Sequence, residues 1–248
     1  MPNDDHALAA QLADLAGELL LDLRVRAVAE SWDPTDLKDA GDRRAHELIV
    51  ARLAQERPDD AVLSEEGKDD RSRLDAERVW IVDPLDGTRE YGEPPREDWA
   101  VHVALWERGE LVAGAVAQAA LEQTFSTGAP PVLPAARAGA PRVVVSRTRP
   151  PEVAHRVAEA LGADLVPLGS AGAKVMAVVR GVADVYVHAG GQYEWDSAAP
   201  VAVARAAGLH TSRLDGSPLR YNQPDVYLPD LVVARPELAA RVLAAVAT

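Results

Sequence analysis

The sequence predicts a mixed α/β protein with an α+β N-terminal half and an α/β C-terminal half. Two observations predict this class. The chain up to residue 60 has apolar residues at helical spacing, and closely spaced apolar strands follow it. Beyond the Ala/Pro-rich stretch 129–141 the pattern changes to alternating strands and helices, which is typical of α/β structure. We therefore expect two subdomains, over residues 1–135 and 136–248.

The composition limits the classes of function. The chain has 248 residues, no cysteine and a formal net charge of −13. The lack of cysteine excludes disulfides and thiolate metal sites. The negative charge argues against nucleic acid and membrane surfaces as partners. No apolar run reaches membrane-spanning length, and residues 1–6 lack the basic-then-apolar pattern of a signal peptide, which predicts a cytoplasmic protein.

Two helices are predicted before the first strand. Leucines recur at the three- and four-residue spacing of an amphipathic helix, at positions 8, 12, 15, 19 and 23. Trp32-Asp33-Pro34 breaks this helix, and Lys38–Asp42 is predicted to be a short polar loop. The second helix follows the loop and ends before Pro58. Asp42 either caps this helix or has a functional role, and the residues alone leave both open.

The remainder of the first half predicts strands. Short apolar runs and apolar–polar alternation, both typical of strands, occur at 61–63, 79–82, 99–106, 111–120 and 123–127. The last three follow one another through short connections, which predicts an antiparallel meander. His102 lies in the third of these five, and a histidine there is more often packed in a sheet than a ligand.

The second half predicts strands and helices in alternation. Strands are expected at 142–145, 164–168 and 183–187, and helices at 151–161, 170–179, 197–207 and 238–245. Gly190-Gly191 and Asp215-Gly216 are predicted to be turns.

The stretch Asp83-Pro84-Leu85-Asp86-Gly87-Thr88 carries the clearest chemical signal. Two carboxylates this close repel each other unless a cation lies between them, and oxygen ligands suit Mg²⁺, Mn²⁺ or Ca²⁺. Gly87 and Thr88 are predicted to start a helix, where backbone N–H groups can face an anion. This combination favours phosphate chemistry. The simpler alternative is a buried strand that ends in a turn with the acids as caps.

Two other sites leave alternatives open. Glu65 and Glu66 end a strand and are either solvated or close enough for one of them to reach the same metal ions. Lys174 is one of only three lysines in the chain and lies near a predicted helix start. A cation there opposes the helix dipole, which favours a bound anion nearby, although an ordinary exposed lysine is the alternative. His188, Tyr193 and Trp195 are candidates to flank a nucleobase, Trp195 being also a candidate core residue.

Several of these landmarks occur in an order that resembles the inositol monophosphatase superfamily of metal-dependent, lithium-sensitive phosphatases. They are Gly41-Asp42 before a helix, Glu65-Glu66, the run 83–88 and Trp195-Asp196 opening a helix, and the resemblance covers about residues 5–245. One departure is Asp39-Ala40-Gly41, where the family usually has a threonine-rich run.

Within the superfamily the chain is most similar to the 3′(2′),5′-bisphosphate nucleotidases of the CysQ type. Arg89-Glu90-Tyr91 looks like their sequence after Gly-Thr, whereas inositol phosphatases tend to have Asn at the Glu90 position. The loop Gly169–Lys174 is similar to their Gly/Ser-rich loop that ends in Lys. Ala189 stands where inositol phosphatases carry a sugar-binding Glu.

The resemblance implies a layered α/β/α/β/α sugar-phosphatase fold with the site between the subdomains and two or three Mg²⁺ ions. It implies that Glu65, Asp83 and the Leu85 carbonyl hold one ion. Asp83, Asp86 and Asp196 would hold a second ion, and a third, weaker one would lie near Glu65 and Asp42. Thr88, polarised by Asp42, would help to activate the attacking water, and Glu65 would also serve catalysis. The implied substrate-binding residues are Gly87, Thr88, Arg89, Ser170, Gly172, Lys174 and Asp196.

The implied activity is Mg²⁺-dependent removal of the 3′-phosphate from 3′-phosphoadenosine 5′-phosphate (PAP), giving AMP and phosphate, with PAPS as a further substrate and a role in sulfate assimilation. Inositol monophosphatase or fructose 1,6-bisphosphatase activity is the alternative within the class. A catalytically silent nucleotide-binding regulator is the alternative outside it, and the presence of all the implied acidic ligands argues against that. The implied partner is a small-molecule phosphate ester substrate, and we expect a monomer or homodimer.

Overall fold

The computed structural model describes residues 4–247, which form two five-stranded sheets and three layers of helix. The helices are α1 (Asp5–Ala29), α2 (Pro34–Glu56), α3 (Thr88–Tyr91), α4 (Glu152–Leu161), α5 (Ala171–Val179), α6 (Glu194–Ala206) and α7 (Pro236–Val246). The strands are β1 (Ala61–Ser64), β2 (Arg78–Asp86), β3 (Ala100–Glu107), β4 (Glu110–Gln118), β5 (Gln123–Ser126), β6 (Arg142–Ser146), β7 (Asp164–Leu168), β8 (Val185–Tyr193), β9 (His210–Ser212) and β10 (Tyr227–Ala234).

The first sheet has the strand order β1-β2-β3-β4-β5. β1 and β2 are parallel, whereas β2 to β5 are antiparallel neighbours, so the predicted meander is confirmed. α1 and α2 cover one face of this sheet. The alternating apolar residues of β2 and β3 are buried on both faces because helices lie on both sides.

The second sheet has the order β7-β6-β8-β10-β9. β7, β6 and β8 are parallel, and β10 and β9 are added antiparallel. α5 and α6 lie between the two sheets, and α4 and α7 cover the outer face of the second sheet. The layers therefore run α/β/α/β/α, which confirms the expected fold class. One apolar core joins residues of both sheets, and the division of the chain at residue 135 stays a prediction.

The predicted polar loop Lys38–Asp42 is wrong, because these residues lie inside α2. The helix begins at Pro34, and the side chain of Asp33 caps it by accepting the Thr35 N–H at 2.7 Å. Proline is tolerated at the first helical position, because a backbone N–H at that position has no acceptor within the helix. Asp42 therefore does not cap a helix.

The second half differs from the prediction in two places. Gly190-Gly191 is not a turn between elements but lies within β8, where both glycines have positive φ and the pairing with β10 changes register. Such an irregularity lets the strand continue to Tyr193. β9 and β10 were not predicted, and β10 has Pro229 and Asp230 in the middle of its apolar pattern. Within residues 4–247, no helix is both long enough and apolar enough to cross a membrane.

Candidate active site

The end of β2 brings two carboxylates into the interior. Asp83 and Asp86 are 1% and 6% exposed, in a strand that pairs with β1 on one side and β3 on the other. The pairing with β3 changes register between the two residues, at Pro84, which has no N–H to donate to a ladder. Asp83 accepts the Leu85 N–H at 3.0 Å, which holds this corner closed.

Asp196 from the second half joins these two side chains. It lies in the first turn of α6 and accepts the Tyr193 N–H at 2.6 Å. One carboxylate oxygen from each of Asp83, Asp86 and Asp196 lies within 4.8 Å of the others. Three hard oxygen donors in so small a volume fit a divalent cation such as Mg²⁺ or Mn²⁺.

The electrostatics of this acidic cluster (Asp83, Asp86 and Asp196) also fit a cation. Burial raises the pKa of Asp83 well above its usual range, and the charges of Glu65 and Asp86 raise it further. Burial, followed by repulsion from Asp86, raises the pKa of Asp196 to about 8. These carboxylates therefore cannot all be ionised at neutral pH unless a positive charge is bound among them.

Glu65 lies directly after β1, and its N–H donates to the Val82 carbonyl at 3.2 Å. Although the residue is exposed on one side, its carboxyl contacts Asp83. Burial raises the pKa of Glu65 to about 7, and the hydrogen bond with Asp83 partly offsets this rise. Of the two alternatives that the sequence left open, the structure therefore places Glu65 beside the acidic cluster.

Asp42 and Thr88 come together although the loop predicted around Asp42 is helical. The Thr88 hydroxyl donates to the Leu85 carbonyl at 3.1 Å and lies 3.4 Å from Asp42 Oδ1. Burial raises the pKa of Asp42 to about 7, with added repulsion from Glu66 and then Glu65. Thr88 opens the one-turn helix α3 after Gly87, which has a left-handed φ of +86°.

The start of α5 binds Asp86 directly. The Ser170 hydroxyl and the Gly172 N–H donate to Asp86 Oδ2 at 2.5 and 2.6 Å, and the Ala171 N–H donates to Oδ1 at 3.1 Å. A carboxylate that accepts the free N–H groups of a helix start is a strong cap. Asp86 therefore joins the two halves of the protein at the site.

Lys174 is not an ordinary exposed lysine, since it is 6% exposed. Its ammonium donates to the carbonyls of Gly169 and Ser170 at 2.9 and 2.7 Å and lies 5.4 Å from the centre of the Tyr186 ring. Burial lowers the pKa of Lys174, and the negative charges of the site oppose this. An ammonium has three donors, so one remains after these two bonds.

A cleft of about 600 Å³ opens above the acidic cluster. Its lining includes Asp86, Gly87, Ser170, Lys174 and Asp196 of the predicted site. Its other walls come from the loop after β6 and from β8. Arg89 is exposed on α3 and is not part of this lining, and the stacked pair Tyr193–Trp195 is not part of it either.

The sequence reasoning missed Arg149, which lines the cleft from the loop after β6. It also missed the role of Glu90, which it used only as a mark of resemblance. Glu90 accepts the Arg147 Nε–H at 2.5 Å and packs so closely under Gly169 that a Cβ there would lie 2.2 Å from Glu90 Cδ. Glu90 thus supports the loop that leads to Lys174. The arginines in Ser146-Arg147-Thr148-Arg149, after a strand, were the available signal.

The chain is similar to known phosphatases along nearly its whole length. The sequence profile of the inositol monophosphatase family matches residues 4–248. A 3′-phosphoadenosine 5′-phosphate phosphatase of Mycobacterium bovis is 54% identical over 243 residues, which cover 94% of this chain and 89% of the relative. The 3′(2′),5′-bisphosphate nucleotidase CysQ of Escherichia coli K12 is 32% identical over 200 residues, which cover 76% and 81% of the two chains.

A solved structure agrees with these relatives. CysQ from Bacteroides thetaiotaomicron, described as a bacterial member of the inositol monophosphatase family, matches with a TM-score of 0.79 and 30% identity, over 92% of this chain and 96% of that chain. The chain therefore belongs to the inositol monophosphatase family of metal-dependent phosphatases.

Proposed function

We propose that this chain removes the 3′-phosphate of PAP, giving AMP and phosphate, with Mg²⁺ as its cation. The observation that carries the proposal is an acidic cluster at the floor of a cleft that two cationic side chains also line, Lys174 and Arg149. Such a cleft suits a substrate with two separated phosphates, one at the cluster and one at the cations. The 54% identity with a PAP phosphatase supports the same substrate.

Asp83, Asp86 and Asp196 would hold the Mg²⁺ ions, with Glu65 and the Leu85 carbonyl as further ligands, and we propose two or three ions. Bound divalent cations supply a hydroxide at neutral pH and neutralise the phosphoryl oxygens. The buried and mutually repelling carboxylates described above support this assignment, because binding a cation relieves their repulsion.

The protein itself would position the reacting groups. Thr88 Oγ1 is held between the Leu85 carbonyl and Asp42, so its hydroxyl is oriented before the substrate binds. A carboxylate with a pKa of about 7, such as Asp42, is matched to accept a proton near neutral pH. We propose that Thr88 and Asp42 together help to deprotonate the attacking water, while the N–H groups of Gly87 and Thr88 hold the phosphate.

The second phosphate would distinguish PAP from other monoesters. The Lys174 ammonium, which has one further N–H to donate, and the Arg149 guanidinium would bind this phosphate in the cleft. Ala189, which also lines the cleft, has no side-chain group that could bind an inositol hydroxyl. Ser170 and Gly172 would contribute through their hydrogen bonds to Asp86, and Asp196 through its position in the wall of the cleft. Arg89, exposed on α3, would reach the substrate only from the rim.

The proposal predicts that PAP has the highest kcat/KM in a panel with 3′-AMP, inositol 1-phosphate and fructose 1,6-bisphosphate, and that PAPS is also cleaved. Phosphate release with saturating Mg²⁺ is the measurement. If inositol 1-phosphate is the best substrate, the nucleotidase assignment is wrong and family membership alone remains.

Lys174→Ala is expected to lower kcat/KM for PAP about ten- to a hundredfold, because a charge-assisted hydrogen bond is worth about 1.5–3 kcal/mol. The loss for 3′-AMP, which lacks the 5′-phosphate, should be much smaller. Lys68→Ala is the matched control, since Lys68 is exposed outside the cleft. If Lys174→Ala lowers the two values equally, Lys174 does not hold the 5′-phosphate.

We expect Li⁺ to inhibit the enzyme at sub-millimolar to millimolar concentrations, while Na⁺ at the same concentrations does little. A Li⁺ ion at the acidic cluster would neutralise less of the carboxylate and phosphate charge than Mg²⁺ does, so it would not replace Mg²⁺ in supporting hydrolysis. Initial rates of PAP hydrolysis in matched LiCl and NaCl series test this. Equal inhibition by the two salts would refute it.

The cytoplasmic location, the role in sulfate assimilation and the monomer or homodimer expected from the sequence stay predictions.

A further inference from the structure

We infer that His102 is a positioning residue for the acidic cluster, because its imidazole ring joins the chain segments that carry the three carboxylates. It lies in β3 with none of its surface exposed. The predicted packed sheet histidine is therefore observed, but its contacts go beyond packing. The inference rests on the metal site proposed above.

One side of the ring holds the start of α6. His102 Nδ1 lies 3.1 Å from the Trp195 carbonyl oxygen. A carbonyl only accepts hydrogen bonds, so Nδ1 carries the hydrogen and donates it. Asp196 directly follows Trp195 in the first turn of α6. This bond therefore sets the distance between the α6 turn that carries Asp196 and the first sheet.

The other side of the ring faces the end of β2. His102 Nε2 lies 3.3 Å from Asp86 Oδ2, and Nδ1 lies 4.0 Å from Asp83 Oδ2. His102 pairs with Asp83 in the β2–β3 ladder, and this backbone register places the ring beside the end of β2. One side chain thus contacts both carboxylates of β2 and the segment that carries the third.

The ring also touches α5. A Cβ at Gly172 would lie 2.0 Å from His102 Nε2, so only glycine leaves room for the imidazole at this point. Gly172 in turn donates its N–H to Asp86. Within residues 4–247, Nε2 has no hydrogen-bond partner, so the Trp195 bond and the close contact with Gly172 are what orient the ring.

Two polar substitutions separate positioning from simple filling of space. In His102→Asn the amide N–H lies near the position of Nδ1 and can still donate to the Trp195 carbonyl. In His102→Gln the amide lies one bond further out, near Nε2, and this donor is lost. Asn leaves more of the space of the ring empty than Gln does, so a role in packing alone predicts that His102→Asn is affected at least as strongly as His102→Gln.

The experiment measures Mn²⁺ binding without substrate, from the electron paramagnetic resonance signal of free Mn²⁺, together with kcat and KM for PAP and the thermal midpoint. Loss of a group that orients metal ligands typically weakens metal binding about 10–100-fold, so we expect this for His102→Gln and a change of at most about threefold for His102→Asn. kcat should fall in the same order, with smaller changes in KM. His210→Gln, in β9, is the control and should bind Mn²⁺ like the unmodified chain.

Equal Mn²⁺ affinity in the unmodified chain and both His102 variants would overturn the inference. So would Mn²⁺ binding and a thermal midpoint in His102→Asn that are lowered as much as, or more than, those of His102→Gln, since that indicates packing alone. Asp83→Asn serves as the reference for the site itself. If Asp83→Asn binds Mn²⁺ as well as the unmodified chain does, the proposed metal site fails first, and the inference about His102 fails with it.

Discussion

The Asp86→Asn variant is expected to lose on the order of 10³-fold or more in kcat for PAP, with most of the native fold retained. The amide keeps the size of the side chain but removes one of the three negative charges that would hold the cation. The Ser170 hydroxyl and the Gly172 N–H both donate to the Asp86 carboxylate. The asparagine side chain has an NH₂ group in place of one carboxylate oxygen, so it offers fewer acceptors to these donors. The measurement is phosphate release at saturating PAP and Mg²⁺.

A matched control separates the loss of chemistry from a loss of folding. Asp215→Asn changes an exposed acid in a turn and should leave kcat unchanged. Asp86→Asn weakens the cap of α5, which costs about 1–2 kcal/mol, so its thermal midpoint should fall only modestly. If folded Asp86→Asn retains the kcat of the unmodified chain, Asp86 is not part of the metal site.

Arg73→Met is expected to lower the free energy of unfolding by about 3 kcal/mol, which corresponds to roughly 6–12 °C in Tm for a chain of this size. Arg73 lies in the connection between β1 and β2 and is 1% exposed. Its guanidinium binds both carboxylate oxygens of Asp69, at 2.7 and 3.1 Å, and Asn222 Oδ1 at 2.6 Å. Removing it leaves the buried Asn222 Oδ1 without this donor and the half-buried Asp69 carboxylate without its ion-pair partner.

The same interaction ties the two halves together near the site, because Asn222 also donates its N–H to Glu194 at the start of α6. Arg108→Met is the control. Arg108 pairs with Glu77 while both side chains are about two-thirds exposed, so water screens this ion pair and it should contribute little to stability. Thermal unfolding of both variants compares them, and equal shifts in Tm would contradict the role given to Arg73.

The sequence allowed much of the acidic cluster to be predicted, for local reasons. The apolar run of β2 and the two acids after it lie within one segment, so their burial and closeness follow from short-range geometry. Asp196 is far away in the chain, and only the resemblance connected it with Asp83 and Asp86. The structure brings the three together because α6 packs between the two sheets and against β2.

The parts that could not be predicted depend on contacts between distant segments. The bonds from Ser170 and Gly172 to Asp86 span 84 and 86 residues, and nothing local to either segment indicates them. β10 was missed because pairing with β8 and β9 stabilises a strand whose own pattern Pro229 and Asp230 interrupt. Similarly, α2 was predicted too short because Pro34 was interpreted only as a helix breaker, although it opens the next helix.

We propose that Asp83, Asp86 and Asp196 together hold the cation on which hydrolysis depends. The most direct test is phosphate release from PAP by protein treated with EDTA and then dialysed, before and after Mg²⁺ is added back. Because the buried carboxylates repel one another without a cation, we predict no turnover in metal-free buffer and recovery of activity with Mg²⁺. Full turnover in metal-free buffer would show that hydrolysis does not depend on a cation at these carboxylates.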